Sequence, residues 1–234
     1  MGDPPTGLST GGQTGLIFRY KAWLPGARTE GADQTMREPR TLLQMAGAGA
    51  QPAPLDESVV VMIDCQREYV DGALPLTGVE AALAECAEVL ALGRAAAAPI
   101  LHVQHRGRPG GLFDPTSTAY EIAGPAAPRA GEGSLTKTLP NAFAGTDLKR
   151  LLDETGRKTV VFAGFMTHMC VSSTARAALD QGFASTIVAA ACATRDLPDG
   201  AGGIARAQDL HRLVLAGLAD RFAVVVPRAA DLVA

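Results

Sequence analysis

Three polar residues stand at the ends of apolar segments in this chain: Asp64, Lys137 and Cys170. A thiolate is a strong nucleophile, but a free thiol is mostly protonated near neutral pH and needs a base or a favourable charge beside it. A carboxylate can take the thiol proton, and an ammonium group stabilises both anions. Taken singly, each residue also has a structural interpretation, as a buried thiol, a turn former or a solvated lysine. If the three segment ends converge, they form a cysteine nucleophile that is activated without histidine.

The segment around Cys170 predicts a strand, a tight connection and a helix. Residues 159–163 are short, apolar and β-branched, which is typical of a buried strand. Residues 171–182 carry small or apolar side chains at helical spacing and end at Gly182. We therefore expect Cys170 at the first turn of a helix, where the helix dipole lowers the pKa of a thiol.

The other two residues follow further predicted strands. Residues 58–64 form a continuous apolar strand that ends at Asp64, and residues 134–137 form a short strand that ends at Lys137. Strands at 58–64, 99–105, 134–137, 159–163, 185–191 and 222–226 are interspersed with helical segments at 78–97, 146–152, 171–182 and 203–218. This pattern predicts an α/β fold with three layers (α/β/α), built on a doubly wound, mostly parallel six-stranded sheet. Carboxyl ends of parallel strands share one edge, where ligands bind.

Composition excludes several classes of function. The formal net charge is −3 over 234 residues, so a nucleic-acid partner is not expected. No apolar run approaches the roughly 20 residues of a membrane span, so no membrane association is expected either. The N-terminus lacks the pattern of a secretory signal, and the four cysteines show no CxxC spacing, so we expect reduced thiols in a cytoplasmic protein. No GxGxxG follows the first strand, so a dinucleotide site is not supported.

The composition also suggests two parts. Residues 1–54 are rich in Gly, Pro, Thr and charge and predict a flexible N-terminal extension and linker, of which we expect 1–35 to be dispensable for folding. Residues 55–234 predict the catalytic domain. Within it, residues 106–133 form a long connection rich in Gly and Pro, which indicates a lid or a contact between subunits.

Three motifs together resemble the isochorismatase-like cysteine hydrolase family, in its thiol-dependent amidohydrolase branch. They are the sequences DCQREY at 64–69, KTLPNAF at 137–143, and GFMTHMCV at 164–171 followed by TARAA at 174–178. Each motif is weak alone, but the three occur in the family's order over residues 59–226. The resemblance implies the α/β/α fold inferred above.

It also implies a mechanism. Cys170 would be the nucleophile, Asp64 the general base and Lys137 the third member of a triad. A cis peptide between Phe165 and Met166 would turn the N–H of Met166 into an oxyanion hole shared with the N–H of Cys170. The implied reaction is hydrolysis of a C–N bond in a small amide, carbamoyl compound or lactam through a thioester.

The second strand ends without the Asp-x-His that forms the metal site of nicotinamidase relatives, so we expect no metal and no cofactor. The pocket candidates are residues that follow strand ends or flank the motifs: Gln66, Tyr69, His105, Phe143, Thr167, His168 and Thr194. His102 should face away from His105, and the other three cysteines, Cys65, Cys86 and Cys192, should be structural.

Three alternatives remain open at this point. A catalytically silent binding protein would show no unusually reactive Cys170, a redox enzyme would need a resolving cysteine, and a vinyl ether hydrolase of isochorismatase type would keep its activity in Cys170→Ala. The resemblance further implies a homodimer or a homotetramer that acts on a small-molecule amide.

Overall fold

The computed structural model describes residues 38–47 and 51–233. The contacts between residues divide the chain into two units, Met1–Glu38 and Pro39–Ala234. The description that follows concerns the second unit. The prediction of a flexible extension falls mostly on residues outside the described ones. Its described part contains a four-residue helix, α1 (Leu42–Met45), whose capping box uses Thr41. The N–H of Leu42 donates to Asp220, which holds α1 against the last helix of the chain.

Six parallel strands form the central sheet, in the order β3-β2-β1-β4-β5-β8. The strands of this sheet are β1 (Ser58–Ile63), β2 (Ile100–His105), β3 (Gly133–Lys137), β4 (Thr159–Phe165), β5 (Ala184–Ala193) and β8 (Val224–Val226). All residues of β1 are buried, as its unbroken apolar sequence predicts for a central parallel strand. The chain reverses its winding between β1 and β4, which is the switch point where open α/β sheets bind ligands.

Helices cover both faces of the sheet. Helix α2 (Val79–Ala95) packs on one face with the loop of residues 106–133, and its buried stripe includes Leu83, Cys86 and Leu90. Helices α3 (Leu148–Glu154), α4 (Ser172–Asp180) and α5 (Ala207–Arg221) cover the other face. The predicted three-layer, doubly wound fold is therefore confirmed. No helix among the described residues is long and apolar enough to cross a membrane.

The largest departure from the predicted elements lies after β5. The helix predicted over residues 203–218 begins at Ala207 instead, behind a small antiparallel hairpin of β6 (Leu197–Pro198) and β7 (Ile204–Ala205). Asp196 fixes this start, because its carboxylate accepts from the N–H of Ala207 at 2.7 Å. The glycines before it turn the chain at the hairpin end instead of extending the helix.

Candidate active site

The ends of β1 and β3 place a carboxylate and an ammonium group at the carboxyl edge of the sheet. Asp64 follows β1 directly, with a φ of 50°, and its side chain is fully buried. Lys137 is the last residue of β3, and its side chain is fully buried as well. Two strands separate β3 from β4, so the long lysine side chain is what brings its charge to the centre of the edge.

Cys170 lies in a π-helical turn, Thr167–Val171, between β4 and α4. The prediction placed it in the first turn of an α-helix, but α4 begins only at Ser172. Gly164 makes this connection possible: its φ is 120°, and a Cβ there would lie 2.0 Å from the carbonyl oxygen of Ile63. The glycine that opens the motif is thus required for β4 to lie close to β1 just before the cysteine.

The three predicted residues meet. Nζ of Lys137 lies 2.6 Å from Oδ2 of Asp64 and donates to Sγ of Cys170 at 3.3 Å. The contact with Asp64 is close but poorly aligned, so both carboxylate oxygens lack a well-directed hydrogen bond among the described residues. A buried carboxylate in this state gains from any proton donor that approaches it. The cluster therefore holds a thiol, a carboxylate that can act as a base, and a cation that touches both.

The pKa shifts identify which group accepts the proton. Burial raises the pKa of Asp64 to about 6, against the opposing effect of Lys137. Burial and then the Asp64 charge raise the pKa of Cys170 to about 12. The expectation that a helix dipole lowers this thiol's pKa is therefore wrong, because desolvation and the neighbouring carboxylate dominate. Near neutral pH the pair consists of an ionised Asp64 and a neutral thiol, which suits general-base activation during attack.

The peptide bond between Phe165 and Met166 is cis, as the resemblance implied. Past this bond, the carbonyl oxygen of Met166 accepts from the N–H groups of Met169 at 3.0 Å and Val171 at 3.2 Å. The N–H of Cys170, between those two, takes no part in this pair of hydrogen bonds. The turn thus presents the cysteine with its backbone N–H beside its own sulfur.

His105, at the end of β2, extends the cluster. Its Nδ1 lies 3.1 Å from Nζ of Lys137 and must accept, because an ammonium group can only donate. Burial, and secondarily the charge of Lys137, lower the pKa of His105 to about 4, so the ring is neutral with its proton on Nε2. Nζ of Lys137 therefore contacts three groups: it hydrogen-bonds with His105 and Cys170 and forms an ion pair with Asp64. His102 faces the other way, as predicted, and contacts Glu132 at 2.9 Å.

Two of the predicted pocket residues instead make hydrogen bonds to the protein backbone that hold the site together. Gln66 is fully buried; its Nε2 donates to the carbonyl oxygens of His105 and Tyr120, and its Oε1 accepts from the N–H of His105. Thr167 is also fully buried and donates to the carbonyl oxygen of Ala193 at 3.1 Å. Since neither side chain has a free polar atom for a ligand, we correct the prediction of substrate contact for both.

Phe143 does not line the site either. Its ring stacks on Phe183 at 6.2 Å, and Phe183 lies just before β5, at the opposite edge of the sheet from Cys170. The lysine motif is tied to the site by another contact, from the N–H of Ala142 to Oγ1 of Thr174 at 3.0 Å. This correction could not be made from the sequence, because Phe143 and Phe183 belong to separate elements.

Tyr69, His168 and Thr194 do lie at the catalytic edge. The ring of Tyr69 lies 5.9 Å, centroid to centroid, from that of Phe165 at the end of β4, and burial followed by the charges of Asp64 and Cys170 raises the pKa of its phenol. Nδ1 of His168 hydrogen-bonds with Oγ1 of Thr194, and the imidazole is only half-buried. These three remain candidates for contact with a substrate.

Sequence reasoning missed two residues of this region. Nδ1 of His211, on α5, contacts the hydroxyl of Thr167 at 2.9 Å and so fixes the turn that carries the cysteine. Arg195 follows β5, and its positive charge lowers the pKa of His168, where burial is the larger cause, and also opposes the rise at Tyr69. Its Nε is buried without a hydrogen-bond partner among the described residues. A cation after a strand end was the available signal for Arg195.

The other cysteines pack in the core. The sulfurs of Cys65 and Cys86 lie 3.9 Å apart and unbonded, on the α2 side of the sheet and away from Cys170. Cys192 is buried behind the site on β5. Within the described ranges, no three His, Cys, Asp or Glu side chains are grouped closely enough to hold a metal ion.

Comparison with known proteins gives a consistent result. Residues 58–230 match the family model described as "Isochorismatase domain". The chain is 37% identical over 183 residues to a secreted isochorismatase effector of Verticillium dahliae, covering 78% of this chain and 94% of that protein. It is 33% identical over 165 residues to maleamate amidohydrolase of Pseudomonas putida, covering 62% of this chain and 73% of that one.

Solved structures agree. The crystal structure of an isochorismatase from Pseudomonas putida superposes with a TM-score of 0.79 and 39% identity, covering 83% of this chain and all of that one. Residues 58–230, which the family model matches, include Asp64, Lys137 and Cys170. The chain therefore belongs to the isochorismatase-domain family of hydrolases.

Proposed function

We propose that this protein is a cysteine hydrolase that cleaves a C–N bond of a small amide through a thioester intermediate. The observation that carries the proposal is the contact of one buried ammonium group, Lys137, with both the carboxylate of Asp64 and the sulfur of Cys170. A chain that merely binds a ligand has no need of this cluster, because a buried lysine and a buried aspartate are costly to retain.

The reaction proceeds in balanced steps. Asp64 takes the thiol proton as the sulfur of Cys170 attacks the amide carbonyl carbon, and the carbonyl oxygen becomes an oxyanion. The protonated Asp64 then gives its proton to the leaving nitrogen, and the C–N bond breaks to leave a thioester. Water, deprotonated by Asp64, attacks the thioester, and the thiol leaves with that proton. The products are a carboxylic acid and ammonia or an amine.

Backbone groups of the turn serve as the oxyanion hole in this proposal. We assign this role to the N–H groups of Met166 and Cys170, because two such donors stabilise a tetrahedral oxyanion. Gln66 and Thr167 hold this geometry from behind through their hydrogen bonds to β2 and β5.

Arg195 favours a substrate with an anionic group. Nε of Arg195 is buried without a hydrogen-bond partner among the described residues, and the Arg195 charge acts on the pKa of both His168 and Tyr69. A bound carboxylate would give this guanidinium nitrogen a partner. Maleamate, the substrate in the name of the Pseudomonas putida relative, is an amide that carries a carboxylate. We propose a small amide of an acidic compound as the substrate class, with Tyr69, His168 and Thr194 contacting it.

Assembly and location follow the same family expectation. We propose a homodimer or homotetramer in which residues 106–133 form a contact, without metal or cofactor, and light scattering of the purified protein gives the subunit number.

We propose a cytoplasmic location because the thiols are free, including those of Cys65 and Cys86, whose sulfurs lie 3.9 Å apart. Fractionation of the native cells tests this location.

Ammonia release from a panel of small amides tests the function. The panel pairs each amide that bears a carboxylate with its uncharged analogue of the same size. We expect wild type to hydrolyse the anionic members, Cys170→Ala to hydrolyse none, and Arg195→Gln to lose selectivity for the anionic member of each pair. Equal amidase activity in wild type and Cys170→Ala would refute the nucleophile, and hydrolysis of isochorismate by both would favour the vinyl ether reaction.

Trapping the intermediate provides an independent readout. Mass spectrometry of acid-quenched enzyme should show an acyl adduct on Cys170 during turnover. Cys65→Ala is the matched control, because Cys65 is a buried thiol on the other face of the sheet. This variant should keep both the adduct and the activity.

A further inference from the structure

Phe113 has a backbone conformation that its residue type rarely adopts. Its φ is 56°, in the left-handed region, which is unfavourable for a bulky side chain. The ring is nevertheless held inside the protein, with 6% of the residue exposed. The surrounding structure must therefore enforce this conformation, which places one aromatic ring at a defined position.

Two contacts enforce it. The carbonyl oxygen of Phe113 accepts from the N–H of Gly107 at 2.9 Å, closing the loop of residues 107–113. That closure requires glycine, because a Cβ at Gly107 would lie 1.8 Å from the carbonyl oxygen of Leu112. The N–H of Phe113 donates to Oε2 of Glu68 at 2.9 Å, and Oε1 of the same carboxylate accepts from the N–H of Ala73 at 2.7 Å.

Glu68 is 3% exposed, so the loop of residues 107–113 is anchored by a buried carboxylate. A charged acceptor forms stronger hydrogen bonds than a neutral one, and the cost of burying it is offset only if both bonds persist. Glu68 comes four residues after Asp64, so the anchor is attached to the chain segment that carries the proposed base.

The ring of Phe113 contacts two aromatic side chains of the catalytic edge, those of His105 and Tyr69. Its centroid lies 5.0 Å from that of His105 and 5.1 Å from that of Tyr69, in both cases edge to face. His105 contacts Lys137, and the Asp64 charge acts on Tyr69. The ring thus lies beside His105 and Tyr69 on the Asp64 side of the site, whereas Arg195 follows β5, on the far side of β4.

We propose that Phe113 is a specificity-determining residue that limits the size of the leaving amine, and that Glu68 is the positioning residue that holds it there. The inference rests on the proposed function, in which Asp64 protonates the leaving nitrogen, so that nitrogen must lie on the Asp64 side of Cys170. A rigid aromatic wall at that place admits the nitrogen of a primary amide and excludes an N-alkyl chain. The substrate class is therefore a primary amide, and the product amine is ammonia.

The test compares kcat/KM for three amides of one acid: the primary amide, the N-methyl amide and the N-propyl amide. We expect wild type to prefer the primary amide, and Phe113→Ala to raise the ratio of N-propyl to primary amide by about tenfold or more, since even one methylene in a closed pocket is worth about 10-fold. Phe113→Leu, a milder change, should shift the ratio in the same direction by less. Leu112→Ala is the matched control, because that neighbouring side chain is 45% exposed.

Glu68→Gln tests the anchor. The N–H groups of Phe113 and Ala73 each need an acceptor oxygen, and glutamine offers only one, so the loop should loosen. We therefore expect the ratio of kcat/KM for the N-propyl amide to that for the primary amide to rise, although the Phe113 ring itself is unchanged. A merely structural role for either residue would lower all three rates together and leave the ratios unchanged.

The outcomes separate the two proposals. The measured quantity is the ratio of kcat/KM for the N-propyl amide to that for the primary amide. If this ratio stayed within about twofold of wild type in both Phe113 variants, this inference would be overturned while the thioester mechanism stayed intact. If wild type hydrolysed none of the amides, the proposed function would be overturned instead, and the proposed role of Phe113 with it.

Discussion

Replacing Lys137 by methionine should move the acid limb of the pH–rate profile to higher pH. The methionine fills the same buried space but removes the cation that lies 2.6 Å from Asp64 and 3.3 Å from Cys170. The carboxylate must be ionised to take the thiol proton, so activity rises with pH through the pKa of Asp64. In wild type that pKa is raised by burial to about 6, and the limb should lie there.

Coulomb's law sets the magnitude. At 2.6 Å and an effective dielectric of about 20, the attraction between ammonium and carboxylate is about 6 kcal/mol, equivalent to about 4–5 pH units. Relaxation and entry of water around the methionine reduce this value, and we expect a displacement of about 2 units or more. With a limb near pH 8, kcat/KM at pH 7 falls about tenfold through protonation alone and recovers about tenfold by pH 9. Loss of the cation near the thiolate lowers the plateau further.

The assay is ammonia release from the best amide between pH 4.5 and 9.5, as kcat/KM. Three further variants separate the causes. Lys149→Met removes an exposed lysine and should leave the limb near pH 6. Asp64→Asn should be inactive at every pH, without recovery. His105→Gln should also keep the limb, because burial and Lys137 lower the pKa of His105 to about 4, below the range where the limb lies.

A limb that stays near pH 6 in Lys137→Met would refute the reasoning. It would mean that Lys137 does not control the ionisation of Asp64, and that another group sets the profile. A limb that moves to lower pH would contradict the sign as well, since removing a cation can only make a neighbouring carboxylate harder to ionise.

Two further predictions concern stability, and urea unfolding measures both. Gly164→Ala should lose about 3 kcal/mol or more, because φ is 120° and the new Cβ would lie 2.0 Å from the carbonyl oxygen of Ile63; a loss below about 1 kcal/mol would contradict that close approach. Glu132→Ala should lose about 2 kcal/mol, because its carboxylate joins Arg94 at 2.7 Å and the buried His102 at 2.9 Å; an unchanged free energy of unfolding would show that this network contributes nothing.

The placement of Asp64, Lys137 and Cys170 at one edge of the sheet was predictable from topology, although the contact of Lys137 with the other two also requires its long side chain. Residues that follow parallel strands share one edge, whatever the packing in between. The roles of the pocket candidates were not predictable in the same way, because Gln66 and Thr167 are assigned by hydrogen bonds to distant backbone atoms. The motif places these residues near the site, but only the fold shows that their polar atoms face inward.

The direction of the thiol's pKa shows why position alone is insufficient. A helix start lowers the pKa of a thiol, and that effect follows from the position of Cys170 in the sequence. Burial and the Asp64 carboxylate act in the opposite direction and are stronger, but both depend on how tightly the three strand ends close. The chemistry changes accordingly: this cysteine is not stored as a thiolate, and its proton leaves only when a base accepts it.

A site that keeps its cysteine as a neutral thiol is protected from reaction with electrophiles other than its substrate. A stored thiolate would react with any electrophile, whereas in the proposed mechanism the thiol of Cys170 becomes nucleophilic when Asp64 takes its proton. The two groups then share one negative charge opposite Lys137. Moving that charge from the carboxylate, 2.6 Å from the ammonium, to the sulfur at 3.3 Å lowers the attraction from about 6 to about 5 kcal/mol at an effective dielectric of about 20. Lys137 therefore stabilises both states, and the carboxylate by about 1 kcal/mol more. The lysine therefore lowers the cost of keeping a charge in the buried site, and the oxyanion hole provides the stabilisation specific to the transition state. On this argument, Lys137→Met moves the acid limb of the pH–rate profile as well as lowering its plateau, whereas loss of an oxyanion donor would lower kcat at every pH without moving the limb.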